Sequence, residues 1–571
     1  MAGQKNETIQ IGPNEWEVRT VYKNGRVETR RITDKIEIWN IGNTGMRNPW
    51  RIPSGFKVYV ESNQVGRLRE PADQQSFKRL LIEKGEIGGD PEKDKDASIT
   101  RKYRLMFNKY GFAYPEVTKK DGFSQEDLGA VDALTPAGKR FYEASTVEAQ
   151  QECFLRGLIV PMERIDNTRC FSPLLWVLQI MFKLYELSGE FKINHIEFAV
   201  YVQTTNPTYD LTDIAKKILK TRAERIAAEN KKKFDRQLIH DMWLHYDKLE
   251  ENFNEYSDMN IRYLISSGIV KRAGRGITLV PESKTLAAEL AKSSISTESL
   301  KQRLITLCNG AKLPTDNADV ANKVLGDLIN ELDKYGIQYS LPDVPLDSAQ
   351  NINIVRSSLK QDIDHYKEER YADQQQIEWR EIYEYMQLLI VNNGREKELD
   401  EDNIIKVPKS EAAAYLEWIL WRSFLAIDHI INKPYNARGF RIDQDYLPVG
   451  TAPGGGSDMI FEFTNYVIVV EVTMSTNSRQ EAMEGEPVRR HVADYVMQYD
   501  KPVYGIFVAN KIDSNTAETF RIGVWYNNDD ERMLLQIVPF TLAQYAEYFK
   551  YLFVSNTVSP DKIIELFKKY N

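Results

Sequence analysis

The sequence predicts a multidomain α+β chain. A mostly helical first half carries winged-helix-like units, and the chain ends in an α/β domain with a central mixed sheet. Three observations predict this. The 571 residues exceed a single core, and at ~150 residues per domain they give roughly four. Helical apolar stripes recur through the middle of the chain, twice in a helix–turn–helix outline. Near the C-terminus two runs rich in β-branched and aromatic residues, MIFEF and YVIVVEVT, flank the two-residue break Thr464-Asn465, a hairpin signal. The expected divisions are 1–150, 151–285, a helical linker region 286–400, and 401–571.

Composition narrows the class. Hydrophobic residues at 42% and charged residues at 28% suit an ordinary globular protein. No apolar run approaches the length of a membrane span, so no membrane partner is expected. The start, MAGQKNETIQ, lacks the apolar core of a signal peptide. Cys153, Cys170 and Cys308 are too scattered for a disulfide framework or a zinc site. A cytoplasmic setting is expected. The net charge of -8 speaks against nucleic acid only as a total, because clustering decides. Residues 41–82 hold seven bases (Arg47, Arg51, Lys57, Arg67, Arg69, Lys78, Arg79) against three acids.

Taken in order, EWEVRTVYKNGRVETRRI reads as a β-hairpin turning at Asn24-Gly25. IWNIGNTGMRNPWRIPSGFKVYV has no amphipathic period and reads as an ordered loop leading into a short strand or helix. Asn43, Asn48, Trp50 and its arginines mix amide, aromatic and guanidinium groups suited to phosphates and base edges. The same composition also suits a structural loop whose arginines meet surface carboxylates. Glu92 to Asp96 is a charged loop. Lys102 to Tyr114 reads as a helix, and LTPAGKRFYEAST as a turn followed by a helix.

SPLLWVLQIMFKLYELSGEFKINHIEFAVYVQTTN gives a long helix, a break at Ser188-Gly189 and a second helix. In SDMNIRYLISSGIVKRAGRGITLVPE, Ser257 is placed as the cap of a helix ending near Gly268. Two strands then surround a cationic wing at Arg272 and Arg275. Such units serve DNA binding and protein adaptors alike. Lys231-Lys232-Lys233 reads as a solvated helix face. From Pro281 to Ala349 the chain is polar and helical with loops. Glu368 to Asn393 reads as one charged helix with the stripe Ile382, Tyr385, Leu388 and Leu389.

The last domain opens with the helix EAAAYLEWILWRSFLAIDHI. Glu417 shares a face with Leu420, Trp421 and Phe424, and a carboxylate on a core-facing stripe is costly unless paired. Its partner is either an arginine or backbone group, or the site formed by the following hairpin. Folding that hairpin brings Asp458 opposite Glu471. Paired carboxylates repel unless a cation neutralises them, and hard oxygen ligands suit Mg²⁺ or Mn²⁺. Such an ion activates water and stabilises charge on a phosphodiester. Val467-Ile468-Val469-Val470 suggests a strand buried on both faces, so Glu471 at its end needs a reason. Pro487 suits the first turn of a helix on which Val488, His491, Val492, Tyr495, Val496 and Tyr499 share a face. His491 therefore points inward, either as a satisfied core residue or as a group that accepts or relays a proton. Glu484 is placed to hold a second metal or position the water. PVYGIFVANKI and LLQIVPFTLAQYAEYFKYLF complete the sheet, giving the order helix, hairpin, helix, strand.

These residues carry a resemblance. The Asp and Glu spacing is that of a PD-(D/E)XK nuclease core, with Thr473 standing where that core has its lysine. IWNIGNTGMRNPWRI resembles the N-terminal signature of AlwI-type restriction endonucleases. Glu417-Trp418, Asp458, Glu471-Val472-Thr473 and Met483-Glu484-Gly485-Glu486-Pro487-Val488-Arg489-Arg490-His491 are similar, in order, to the cleavage domain of these and related nicking enzymes. The relatives share the missing lysine.

The resemblance implies a type IIS endonuclease of the prokaryotic cytoplasm. It would bind a short asymmetric double-stranded DNA site and cut a few base pairs outside it with Mg²⁺, for which Mn²⁺ can substitute. Asp458, Glu471, the Val472 carbonyl and Glu484 are implied as metal ligands, His491 as completing the site, and Glu417 as support. Arg47, Asn48, Trp50, Arg51, Lys57, Arg67, Arg69, Arg272 and Arg275 are the expected DNA contacts. With one such site per chain, the expected state is a monomer whose cleavage domains pair transiently on DNA. A strand-specific nicking enzyme and a non-catalytic winged-helix regulator are the alternatives.

Overall fold

A computed structural model describes residues 5–21, 25–88, 97–292, 295–400, 403–427, 429–475, 480–527 and 529–570. The expected loop Glu92 to Asp96 and the turn residue Asn24 lie outside the described residues. The chain divides into two compact units. One is Met1–Glu331 with Leu341–Arg356, and the other is Leu332–Ser340 with Ser357–Asn571.

The first unit opens with a three-stranded antiparallel sheet, Lys5–Gly12, Glu15–Val21 and Val27–Thr33. Val21 pairs with Val27 across the expected turn. The outermost strand was not legible, because Ile9 and Ile11 are exposed and supply no buried alternation. The rest of the unit is mainly helical. Its aromatic core includes Phe56, Phe107, Phe112, Phe141 and Phe154, with Phe112 and Phe141 stacked at 3.9 Å. The helix Pro173–Ser188 stops at Gly189, whose φ of +77° suits glycine. The next helix begins at His195 and runs into a wide turn over Phe198–Val202.

The helix Asn252–Ile265 precedes the antiparallel strands Val270–Ala273 and Gly276–Leu279, with Arg275 exposed at the turn between them. Ser257 is not its cap. It lies in the second turn, fully buried, because the helix begins six residues earlier than expected. The segment expected as one helix over Glu368 to Asn393 is also corrected: it is two, Ala349–Gln374 and α1 (Trp379–Val391). The break follows from Arg422, whose buried guanidinium takes Gln375 at 2.6 Å, Glu378 at 2.6 Å and Glu381 at 2.8 Å. Gln375 is itself wholly buried, so the chain turns to deliver it. The expected stripe on α1 holds for Ile382, Tyr385 and Leu389, with Met386 beside them and Leu388 only partly buried.

The second unit is built on a mixed sheet. After helix α2 (Ala412–Leu425) come β1 (Met459–Glu462), β2 (Val467–Thr473), helix α3 (Glu486–Gln498), β3 (Val503–Ala509), helix α4 (Ser514–Ile522), β4 (Gln536–Thr541) and helix α5 (Leu542–Val554). The sheet order is β1-β2-β3-β4, antiparallel at the first pair and parallel at the other two. Strand β2 is buried on both faces, as its unbroken apolar run dictates. Ile468 and Val470 pack with Leu416, Leu420 and Phe424 of α2. Val467 and Val469 pack with Val488 and Val492 of α3. Side chains alternate along a strand, so Glu471 and Thr473 fall on the α3 face.

Candidate active site

The hairpin sets the first contact. Met459 pairs with Val470, so continuing the ladder by one step puts Asp458 across from Glu471. Asp458 Oδ2 accepts the Val472 N–H at 2.8 Å, which fixes the carboxylate against the end of β2. Glu471 Oε1 meets His491 Nδ1 at 2.8 Å, both side chains buried. With the Nδ1 proton donated to Glu471, the other ring nitrogen carries the lone pair. That nitrogen, Nε2, is buried and has no hydrogen-bond partner among the described residues.

Glu484 comes from the wide turn Glu481–Gly485 that leads into α3, and Thr473 hydrogen-bonds its carboxylate. Glu417 reaches in from α2, where its Oε2 accepts the Ala452 N–H at 2.7 Å. The two readings of Glu417 therefore meet: it has a backbone partner, and it lies within electrostatic reach of Asp458 and Glu471.

The electrostatics are those of crowded, dehydrated acids. Burial, then the Glu471 charge, push the Asp458 carboxyl up to about 8, despite the Val472 hydrogen bond. Burial, then Asp458, raise Glu417 well above the ordinary carboxylate range. Burial also raises Glu471, with His491 opposing it, and raises Glu484, with Thr473 opposing it. Desolvation and like charge act together here, a combination that marks functional sites more often than structural ones.

Residues 108–548, most of the chain, match the AlwI restriction endonuclease family. The chain belongs to that family. It is a type IIS site-specific deoxyribonuclease, and the non-catalytic regulator reading loses its support.

No curated protein matches at a significant level. The solved structures similar to this AlwI-family endonuclease include three restriction-enzyme chains. The small subunit R.BspD6I2 of the heterodimeric restriction endonuclease R.BspD6I is 21% identical, with a TM-score of 0.26, over 33% of this chain and 87% of its own. The BpuJ1 endonuclease binding domain, solved with pyrene- and phenanthrene-modified DNA, is 12% identical, TM-score 0.31, over 46% and 85%. Restriction endonuclease FokI is 11% identical, TM-score 0.26, over 93% and 99%. Likenesses this loose transfer no residue role. No helix among the described residues is long and apolar enough to cross a membrane.

The donor set of the candidate site fits a hard divalent cation in its chemistry: Asp458, Glu471, Glu484 and the Val472 carbonyl. Burial raises all three carboxyls, with His491 opposing at Glu471, and among the described residues His491 Nε2 has no hydrogen-bond partner. The groups are nonetheless not converged. Among the described residues, no three His, Cys, Asp or Glu side chains are grouped to hold a metal ion. Each carboxylate accepts from a neighbouring group: Asp458 from Val472, Glu471 from His491, Glu484 from Thr473.

The expected DNA contacts are placed unevenly. Trp50 is corrected: rather than presenting an aromatic plane, it is buried edge-on against Phe154, at 8% exposure. Asn48 Oδ1 accepts the Trp50 N–H at 3.0 Å, an Asx-type turn that starts the helix Arg51–Val60. Arg47 pairs with Glu255 at 2.9 Å, Arg67 with Asp73 at 3.3 Å, and Arg69 with Glu116 at 3.1 Å. Such exposed pairs hold weakly and exchange readily for phosphate. Arg51 is half-buried at the head of its helix, while Lys57 and Arg275 are exposed. Arg272 is half-buried beside Asp258.

Several groups at the site carried no sequence signal. Arg438 makes a bidentate pair with Glu368, 2.8 Å at each oxygen, while its backbone bridges Met459 next to Asp458. Seventy residues separate the pair, beyond any local pattern. Thr473 bonding Glu484 was signalled only by its place where a lysine was expected.

Proposed function

We propose that the second unit is a PD-(D/E)XK-like cleavage domain that hydrolyses DNA phosphodiesters in a Mg²⁺-dependent manner. The first unit, with its winged-helix-like hairpin at Arg272 and Arg275, binds a short asymmetric double-stranded site, and cutting falls a few base pairs outside it. The observation that carries this reading is the Asp458–Glu471 juxtaposition at the hairpin end, with His491 bonded to Glu471.

Asp458, Glu471, Glu484 and the Val472 carbonyl would hold the cation. When bound, Mg²⁺ or Mn²⁺ supplies positive charge for the phosphodiester and an acidified water. The remaining work belongs to the chain. Thr473 orients Glu484 through its hydroxyl. Glu471 fixes the His491 ring so that Nε2 can accept a proton, the task of the lysine absent from this core. Glu417 stands behind Asp458, held in place by the Ala452 amide. His491→Gln is expected to slow single-turnover cleavage by roughly 10²-fold with DNA affinity unchanged, the scale for losing a proton-transfer or outer-shell partner. Unchanged cleavage in that variant refutes the role.

One such site per chain cuts one strand at a time. Double-strand cleavage then requires the cleavage domains of two otherwise monomeric chains to pair on DNA, in the prokaryotic cytoplasm where such DNA is met. Supercoiled plasmid incubated with the protein and Mg²⁺ should yield linear or nicked product, and EDTA should abolish it. Run-off sequencing of both strands gives site and offset. Ends on one strand alone identify a nicking enzyme. No metal-dependent product at any salt concentration overturns the assignment.

A further inference from the structure

We propose that the exposed tip Pro453–Gly456 is a phosphate subsite, taking the sugar–phosphate backbone of the strand being cut against its bare main chain. This rests on the nuclease reading above.

Both ends of the tip are anchored to the site. On one side the Ala452 amide donates to Glu417 Oε2 at 2.7 Å. On the other, Ser457 Oγ donates to the Tyr495 hydroxyl at 3.2 Å, and Gly439 N–H holds the Asp458 carbonyl at 2.8 Å. Between these anchors all four tip residues are exposed. The tip is thus tied to the helices that carry Glu417 and His491, and it runs directly into Asp458.

Its glycines divide into two kinds. Gly455 has a φ of +105°, which a side chain resists, so the turn itself requires it. Gly454 and Gly456 lie outside that region, and a Cβ on either would meet nothing within 4 Å among the described residues. Gly439 makes the contrast: its Cβ would strike the Asp458 and Ser457 carbonyls at 3.0 Å. Neither a left-handed φ nor packing among the described residues accounts for Gly454 and Gly456, and glycine in an anchored loop costs conformational entropy. Close approach of something outside the chain does account for them. The Gly454 and Gly455 amides donate to no acceptor among the described residues. Exposed as they are, these N–H groups are open to an acceptor from outside the chain, and one that carries negative charge needs such donors to offset the neighbouring carboxylates. A phosphodiester oxygen held by main-chain N–H groups meets that condition.

The test uses the full chain with Mg²⁺. Gly454→Val and Gly456→Val should keep the wild-type melting temperature and bind the recognition sequence in Ca²⁺ as tightly. They should cut it at least about tenfold more slowly in single turnover, since ångström-scale misplacement of a substrate is that costly. A duplex with a neutral methylphosphonate at each linkage flanking the scissile one should slow the wild type at one position and slow the valine variants there no further. Variants that cut at the wild-type rate overturn the subsite, as does a wild type indifferent to every flanking methylphosphonate. Should valine lower the melting temperature, Gly454→Ala and Gly456→Ala face the same criteria. A wild type with no Mg²⁺-dependent product removes the nuclease reading and the subsite together.

Discussion

Asp458→Asn is expected to lower single-turnover cleavage on the order of 10³-fold, about 4 kcal/mol of barrier, while leaving specific DNA binding intact. The substitution is selective. Asparagine keeps an acceptor oxygen for the Val472 N–H, now made at 2.8 Å, so the end of the hairpin stays closed. What it removes is the negative charge opposite Glu471, and with it a cation ligand. Cleavage of a cognate duplex measures the loss, and fluorescence anisotropy in Ca²⁺ measures binding. Full cutting activity in this variant with Mg²⁺ present would falsify the placement of the site.

The same substitution is expected to stabilise the metal-free protein as pH rises. Burial beside Glu471 raises the Asp458 carboxyl from 3.8 to about 8. Below about pH 4 this group is protonated in both folded and unfolded chains, and its contribution to stability is fully present. Between about 4 and 8 the unfolded chain ionises while the folded chain holds its proton, and stability is lost at about 1.4 kcal/mol per pH unit. Above 8 the loss levels off. Glu417, Glu471 and Glu484 shift in the same direction.

Asp316, held low by Arg156, has the opposite dependence. The difference between wild type and Asp458→Asn therefore isolates the site. In EDTA the melting temperature of the variant should exceed that of the wild type by a margin that widens from pH 5 to pH 8. Mg²⁺ should reverse the order, because a cation stabilises only the charged set. A margin that stays constant with pH sinks this account.

What could be read from residues alone followed from local rules. The β-branched run of β2, the Thr464-Asn465 turn and the proline that opens α3 each act within a few residues. They suffice to set Asp458 opposite Glu471 and to turn His491 inward. The mixed sheet follows from the same order of elements. Misreadings arose where a distant group decided. Trp50 looks like an exposed plane until Phe154, a hundred residues on, buries it. Ser257 looks like a cap because nothing local shows that its helix starts at Asn252. The helix at Gln375 looks continuous until Arg422 claims its side chain.

By itself the sequence determined the two strands of the C-terminal hairpin, their register and the residue types gathered at its end, because side-chain periodicity and turn chemistry are short-range. Only the tertiary structure decided which donor each buried acid takes: Val472 for Asp458, His491 for Glu471, Ala452 for Glu417. Desolvation forces every such group to find a partner, and folding alone brings partners from far along the chain within hydrogen-bond reach.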